Sequence, residues 1–413
     1  MSTIVAGDQA PASGSGPTGR AIWHRRVGML PLAYLVALVA VALTHPVLPA
    51  WRWLGMHLLL LGVATNAIVI WSAHFTSAVL RCPPPASRHG DGIRLTVLNL
   101  GVAGVLASGV VDQPWIGVVG AGLVFAAVAA HLVWLVARLR AALPARFAVA
   151  VHHYLAATGA LLVGIPVGAW MLVVDDDSRP RLLLFHAHVN LLGWVTLTVL
   201  GTLLTLWPTV LRTRMADGAA TAARRGLPVA VAGLTAVSTG VLAWWPLLAV
   251  GGLALIATAV LLTAVPAAQA ARRKTPASFP SWSITAAAGW LVVALGVDAW
   301  TLLSASDPAV AADRFSAVLV PFLIGFVGQV LLGALAYLLP VALGGGPALV
   351  RERTERLDRH WPQRVATTNA ALAVFVLAVP PYVRITTSLL LLAALLQFLV
   401  PAVHVLLASR RQP

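Results

Sequence analysis

Apolar positions in this chain come in long runs rather than at the alternating or three-to-four-residue spacing of half-buried strands and helices. From residue 23 onward, segments of roughly 17 to 30 residues rich in Leu, Ala and Val are separated by short polar stretches, about what a 1.5 Å rise needs to cross a ~30 Å hydrocarbon layer. Twelve are predicted, near 27–43, 53–80, 95–111, 114–137, 147–174, 182–211, 227–244, 246–266, 282–304, 315–343, 365–379 and 386–408, with Trp244-Trp245-Pro246 dividing the seventh from the eighth. In hydrocarbon every backbone N–H and C=O must be paired internally, so such segments are helices. The expected fold is all-α, a polytopic membrane bundle of about twelve transmembrane helices. Residues 1–22, mostly Gly, Ser, Ala and Pro, predict a disordered cytoplasmic tail. The transmembrane domain then covers 23–409, with a cytoplasmic loop at 344–363 and a tail at 410–413. Within that loop the mixed charges of Arg351 to Arg359 suit a short surface helix near anionic headgroups.

Composition removes whole function classes. Of 413 residues 59% are hydrophobic and 10% charged, which excludes a soluble enzyme. A single cysteine, Cys82, excludes a disulfide framework, iron–sulfur ligation and a cysteine-based zinc site, so any metal rests on the twelve histidines. The formal charge of +15 does not point to nucleic acid, because the basic residues are scattered arginines in short loops without interleaved aromatics. Topology accounts for it. Assigned to alternate sides, 23 of the 28 Lys and Arg fall on one side and 5 (Arg52, Arg179, Arg181, Arg314 and Arg384) on the other. By the positive-inside rule both termini are expected in the cytoplasm of a bacterium, with the chain multi-pass in the inner membrane and lipid as its first partner.

Depth then singles out candidate chemistry, since ionisable groups within spans are costly. His57 in the second segment and His186 and His188 in the sixth share an outer layer, joined by Asp298 of the ninth. His74, His131, and His152 with His153 share an inner layer. Imidazole suits haem iron or copper in a low-dielectric bundle, because a neutral nitrogen donates without bringing a buried charge. All seven are candidate metal ligands, set against packing or proton relay. Adjacent His152 and His153 diverge by about 100° on a helix, so at most one of them should ligate. Asn66, Asn190 and Gln329 join Asp298 as polar bundle residues, and Trp194 and Trp300 are placed to pack against a macrocycle. His24, His45, His89, His360 and His404, in tails, loops or span ends, are expected to be solvated. The Asp175-Asp176-Asp177 run reads as solvated outer loop. Gly344-Gly345-Gly346 reads as a helix exit rather than a phosphate loop.

The run Phe185-His186-Ala187-His188-Val189-Asn190-Leu191-Leu192-Gly193-Trp194, closed by Trp207-Pro208-Thr209, resembles the histidine-bearing helix of compact bacterial relatives of haem–copper oxidase subunit I. Met56-His57-Leu58-Leu59-Leu60-Leu61-Gly62 with Ala64-Thr65-Asn66-Ala67, and Gly325 to Ala334, extend the likeness to NnrS-like membrane proteins and to actinobacterial membrane regions linked to multicopper-oxidase or nitrite-reductase-like domains. The resemblance implies a twelve-helix bundle, haem (b-type first) with copper as a second cofactor, a link to electron transfer, respiration or nitric oxide, and a periplasmic cupredoxin or cytochrome partner. His57 matches the family's low-spin haem ligand, and His186 or His188 its copper-binding helix. Two departures matter. The seventh segment has Thr235, Ser238 and Thr239 but no histidine pair, and the tenth has Gln329 where haem-ligating histidines stand in the family. A proton-pumping oxygen reductase is therefore not expected. A non-catalytic anchor for a periplasmic copper oxidase and a twelve-helix transporter are the alternative readings.

Overall fold

A computed structural model describes residues 19–82, 87–174 and 177–409. Thirteen helices follow one another: α1 (Gly19–Thr44), α2 (Trp51–Val79), α3 (His89–Val111), α4 (Pro114–Ala141), α5 (Val149–Trp170), α6 (Arg179–Val210), α7 (Ala219–Ala243), α8 (Pro246–Arg273), α9 (Phe279–Ser304), α10 (Pro308–Leu343), α11 (Pro347–Asp358), α12 (Trp361–Phe375) and α13 (Pro381–Ala408). Strands are absent among the described residues. Eleven of the helices are long and apolar enough to cross a membrane, so the chain is a multi-pass helical bundle. Side chains such as Leu247 (80% exposed) and Trp300 (72%) face outward without a protein partner, as expected of lipid-facing positions.

Two expectations change. The eleventh predicted segment, 365–379, is the 15-residue α12, which rises roughly 22 Å and falls short of a full span. The first helix begins at Gly19, so residues 19–22 belong to it rather than to a tail. Residues 1–18 and the 410–413 tail lie outside the described residues, as do Asp175 and Asp176. The surface helix expected near 351–359 is α11. The divide at Trp244 is also where expected: Trp244 takes a left-handed φ of 54°, ending α7, and Pro246 opens α8. Gly344, Gly345 and Gly346 all have positive φ, conformations that a side chain would disfavour, which lets the chain turn sharply from α10 into α11.

Small residues set the helix spacing. A Cβ on Gly101 would lie 2.6 Å from the Gly120 carbonyl oxygen, and one on Gly252 only 2.5 Å from the Val237 amide, so α3 with α4 and α7 with α8 pack backbone to backbone. α6 is the most enclosed helix, followed by α2, α5 and α10, whereas α1, α8 and α13 are the least covered. The histidine-rich helices α2, α5 and α6 thus occupy the interior.

Three interior helices are interrupted by π-helical turns: Leu58–Ala64 in α2, Val189–Thr196 in α6 and Pro321–Gly328 in α10. A π turn shifts bonding from i−4 to i−5, and threonine supports it locally. Thr65 Oγ1 donates to the Leu60 carbonyl at 3.0 Å and Thr196 Oγ1 to the Leu191 carbonyl at 2.9 Å, both five residues back. Pro321 has no N–H to donate at the start of the third. Trp194 Nε1 donates to Thr65 Oγ1 at 3.1 Å, joining the first two π segments. Such bulges concentrate at functional sites, and here two of them begin directly after His57 and His188.

Candidate functional site

Of the outer layer, the structure brings His188 and Asp298 into contact, while His57 and His186 each bond a backbone carbonyl. His57, half-buried, lies against the Trp53 ring with centroids 4.1 Å apart, and its Nδ1 donates to the Trp53 carbonyl at 2.9 Å. His186 Nδ1 likewise donates to the Gly164 carbonyl of α5 at 2.9 Å. A carbonyl can only accept, so Nδ1 carries the proton and Nε2 the lone pair in each ring. Metal-ligating imidazoles are oriented in this way by a carbonyl or carboxylate behind them. The bond alone is not diagnostic, because exposed His152 makes it too, with Ala148 at 3.0 Å. What distinguishes His57 and His186 is that both are half-buried, whereas His152 is exposed.

Glycine makes room for the second ring. A Cβ at Gly168 would lie 2.6 Å from His186 Cε1, and one at Gly164 would overlap the Asn190 side chain. The Gly164-x-x-x-Gly168 pair of α5 is therefore a seat for His186 and Asn190. Asn190 Nδ2 lies 3.2 Å from both nitrogens of His186, while its Oδ1 is buried without a partner.

His188 is committed elsewhere. Its Nδ1 contacts the Leu184 carbonyl at 2.6 Å and its Nε2 the Asp298 carboxylate of α9 at 2.9 Å, so no nitrogen remains to coordinate. Of the outer three, His57 and His186 retain a donor lone pair. Trp194 is buried against Thr65 as described, but Trp300 is outside the bundle core.

The inner layer does not converge. His131, fully buried, meets Ser72 of α2 through Nε2 at 2.9 Å, stacks on Trp134, and leaves Nδ1 without a partner. His152 is exposed. His153 is buried where α5 crosses α6 and bonds the Val149 carbonyl, with its Cβ 2.6 Å from the Cβ that Gly201 lacks. His74 meets none of these but the ring of His24 from α1, with centroids 5.1 Å apart. Among the described residues, no three His, Cys, Asp or Glu side chains form a group that could hold a metal ion. His24, expected in solvent, is only 5% exposed, whereas His45, His89, His360 and His404 are exposed as expected.

The polar residues form amide pairs that the sequence reading missed. Asn66 and Asn99 exchange hydrogen bonds at 3.2 and 2.9 Å, with Tyr34 donating to Asn99 at 2.9 Å, tying α1, α2 and α3 together. Gln329 and Asn369 do the same at 3.0 and 3.1 Å, with Trp290 donating to Asn369 at 2.7 Å, tying α9, α10 and α12. The signal available was the unpaired amide itself: a buried Asn or Gln in hydrocarbon requires a partner of equal valence.

No family model matches the chain, and no curated protein matches it.

Proposed function

We propose that the protein is an integral membrane haem- or copper-binding redox protein, serving electron transfer or nitric-oxide- and respiration-linked chemistry, with His57 and His186 as its nitrogen donors. The observation that carries this reading is the half-buried imidazoles of His57 on α2 and His186 on α6, each with its Nδ1 proton held on a carbonyl so that Nε2 keeps its lone pair, which in His186 meets Asn190 Nδ2 at 3.2 Å. A b-type haem is the first candidate and copper the second, and either would supply one-electron redox chemistry when bound. The likeness of the α2 and α6 motifs to haem–copper oxidase subunit I relatives and NnrS-like proteins supports the same assignment. Around the donors, the Trp53 and Gly164 carbonyls orient the rings, Gly164 and Gly168 seat His186, and His188 with Asp298 holds a proton nearby. Nothing in this set serves oxygen reduction: α7 supplies no histidine pair, and Gln329 is occupied by Asn369.

We place both termini in the cytoplasm and the bundle in the bacterial inner membrane, on the strength of the arginine partition. The outer layer is then near the periplasm, where a cupredoxin or cytochrome could exchange electrons with it.

The test is the purified protein. Visible absorbance with iron and copper analysis should give about one equivalent of metal, lost in both His57→Ala and His186→Ala and kept in His152→Ala. Protein with no Soret band and no stoichiometric metal would remove this reading in favour of an anchor or transporter.

A further inference from the structure

The opposite, arginine-rich end of the bundle carries a second cluster that the redox reading does not use. A cavity of about 440 Å³ lies between the first turns of α1, the last turns of α2 and the start of α3. That volume falls within the usual range of small-molecule sites. Its floor is apolar, formed by residues such as Val69, Ile70 and Leu95, and its walls are cationic. Arg20 and His24 come from α1, His74 from α2, and Arg88, Asp91 and Arg94 from the chain entering α3.

Charge counting fixes the sign of the ligand. Asp91 accepts from Arg88 at 3.2 Å and from Arg94 at 2.8 Å, so one carboxylate faces three guanidinium groups and two positive charges remain. Arg20 is exposed and makes no ion pair among the described residues. Hydrogen-bond valence points the same way. Two of the lining residues carry a buried nitrogen without a partner, His24 Nδ1 and Arg94 Nε. Arg94 Nε can only donate, and His24 is 95% enclosed, with 5% exposure. A buried guanidinium N–H is costly unless an acceptor is supplied, and the His24 nitrogen likewise needs a partner. Surplus positive charge, the orphaned Arg94 donor and a cavity together describe an oxyanion site. A metal cation would instead be repelled by the arginines.

The geometry points to a phosphate group as the ligand, and we propose that this cavity binds one, presented by a lipid headgroup or by a soluble phosphate ester. Asp91 already gives Arg88 and Arg94 the two in-plane oxygens that a carboxylate can offer. An entering anion must reach Arg20, His24 and His74 on the other walls as well. A tetrahedral dianion distributes its oxygens over donors from three helices and matches the two surplus charges, which a planar carboxylate does not. The His24 and His74 rings, 5.1 Å apart and nearly perpendicular at 78°, line the space from two helices.

Full-length protein in detergent should be titrated calorimetrically with inorganic phosphate. In parallel, it should be reconstituted in phosphatidylcholine nanodiscs with and without phosphatidic acid and analysed by native mass spectrometry for retained lipid. One equivalent of one probe is expected to bind. Saturable inorganic phosphate identifies a soluble ester as the source, and retention of phosphatidic acid alone identifies a lipid headgroup. Arg20→Gln removes an exposed side chain with no ion pair, so the fold is kept, and it should weaken binding about tenfold; Arg88→Gln should do at least as much. Binding should fall with added salt. His57→Ala should bind as the unaltered protein does, and Arg20→Gln should keep its metal, which separates this site from the redox proposal. Absence of saturable binding by either probe, unchanged affinity in both arginine variants, or zinc or copper binding that His74→Ala abolishes, would overturn the proposal.

Discussion

His188 and Asp298 stand 110 positions apart in the chain and meet at 2.9 Å, Nε2 to Oδ2, in the interior of the bundle. The Leu184 carbonyl can only accept, so Nδ1 of His188 carries a proton and the second proton lies between the imidazole and the carboxylate. Wherever that proton rests, the pair as a whole is neutral, which is how two ionisable groups persist at this depth. The contact joins α6 to α9, with Phe315 of α10 packed against the imidazole at 5.3 Å. Asp298 Oδ1 is buried with no partner, so the carboxylate keeps one lone-pair face open to a proton or a water.

Removing one member of this pair strands the other. Asp298→Ala is expected to destabilise the protein by about 3–5 kcal/mol, the usual cost of leaving a buried partner uncompensated. The loss should appear as a lower melting temperature in detergent. The double change His188→Leu with Asp298→Leu should recover most of that loss, because it removes the polar groups together. An Asp298→Ala protein that melts with the unaltered one would show that the contact contributes nothing to the fold.

Gly168 gives a test of how His186 is seated. A Cβ there would lie 2.6 Å from His186 Cε1, and an α5 packed on α6 cannot retreat without disturbing the whole interface. Gly168→Ala should therefore displace the imidazole, lower bound metal by at least half, and cost about 1–3 kcal/mol through overpacking. Gly159→Ala, on the same helix with open space around its Cβ position, is the control and should leave metal content unchanged. Equal metal in both variants would detach His186 from the site.

Eleven of the twelve predicted spans and the surface helix α11 were legible in the sequence because membrane helices write their length and flanking charge directly into the chain, although α1 and α7 each begin eight residues ahead of their apolar runs. The outer layer was partly legible, since His188 and Asp298, assigned to one layer, do meet. What depth cannot give is azimuth. His57 and His74 are separated on α2 by the π segment Leu58–Ala64, and each π turn rotates the residues beyond it relative to a 100°-per-residue count. A count along an unbroken α-helix therefore cannot say which neighbour His74 faces, and that neighbour is His24. His24 was illegible for a different reason. In Trp23-His24-Arg25-Arg26 it sits among charged residues ahead of the apolar run, and only the start of α1 at Gly19 shows that this stretch is helix with one face turned inward. The Gly164-x-x-x-Gly168 spacing was visible, but what it seats is set by α6.

Asp358, outside the membrane-spanning helices, carries a pH dependence. It ends α11 and accepts a hydrogen bond from the Phe279 backbone N–H at the start of α9. Burial pushes its carboxyl above the ordinary value of 3.8, and the Phe279 N–H, Arg364 and Arg212 pull it back only in part. A carboxyl raised in the folded state binds its proton more tightly there than when unfolded. Its ionisation therefore lowers stability as pH climbs from the ordinary carboxylate range through the raised folded value, and adds nothing further above it. Asp358→Asn should lack that decline while preserving the acceptor for Phe279. Melting temperatures between pH 4 and 7 should show a smaller fall for the variant than for the unaltered protein. Parallel curves would place the pH dependence elsewhere.

The sidedness of the chain turns on α12. Its 15 residues rise roughly 22 Å, against roughly 42 Å for the 28 residues of α13, which packs along it. A helix this short crosses only if the bilayer thins locally or the polar turn that follows is drawn inward. Two features favour crossing. The amide pair of Gln329 and Asn369 holds the middle of α12 beside the π segment of α10, well inside the bundle. Arg364 near its start lies on the arginine-rich side, and the loop after it carries no arginine until Arg384. Reporter fusions after Val174, Ser304 and Val379 are therefore expected to report the periplasm, and those after Leu211 and the C-terminus the cytoplasm. A cytoplasmic signal after Val379 would mean that α12 turns back within the membrane. Eleven crossings would then put the two termini on opposite sides, and the inner-face cavity between α1, α2 and α3 would keep its sidedness while the C-terminus lost it.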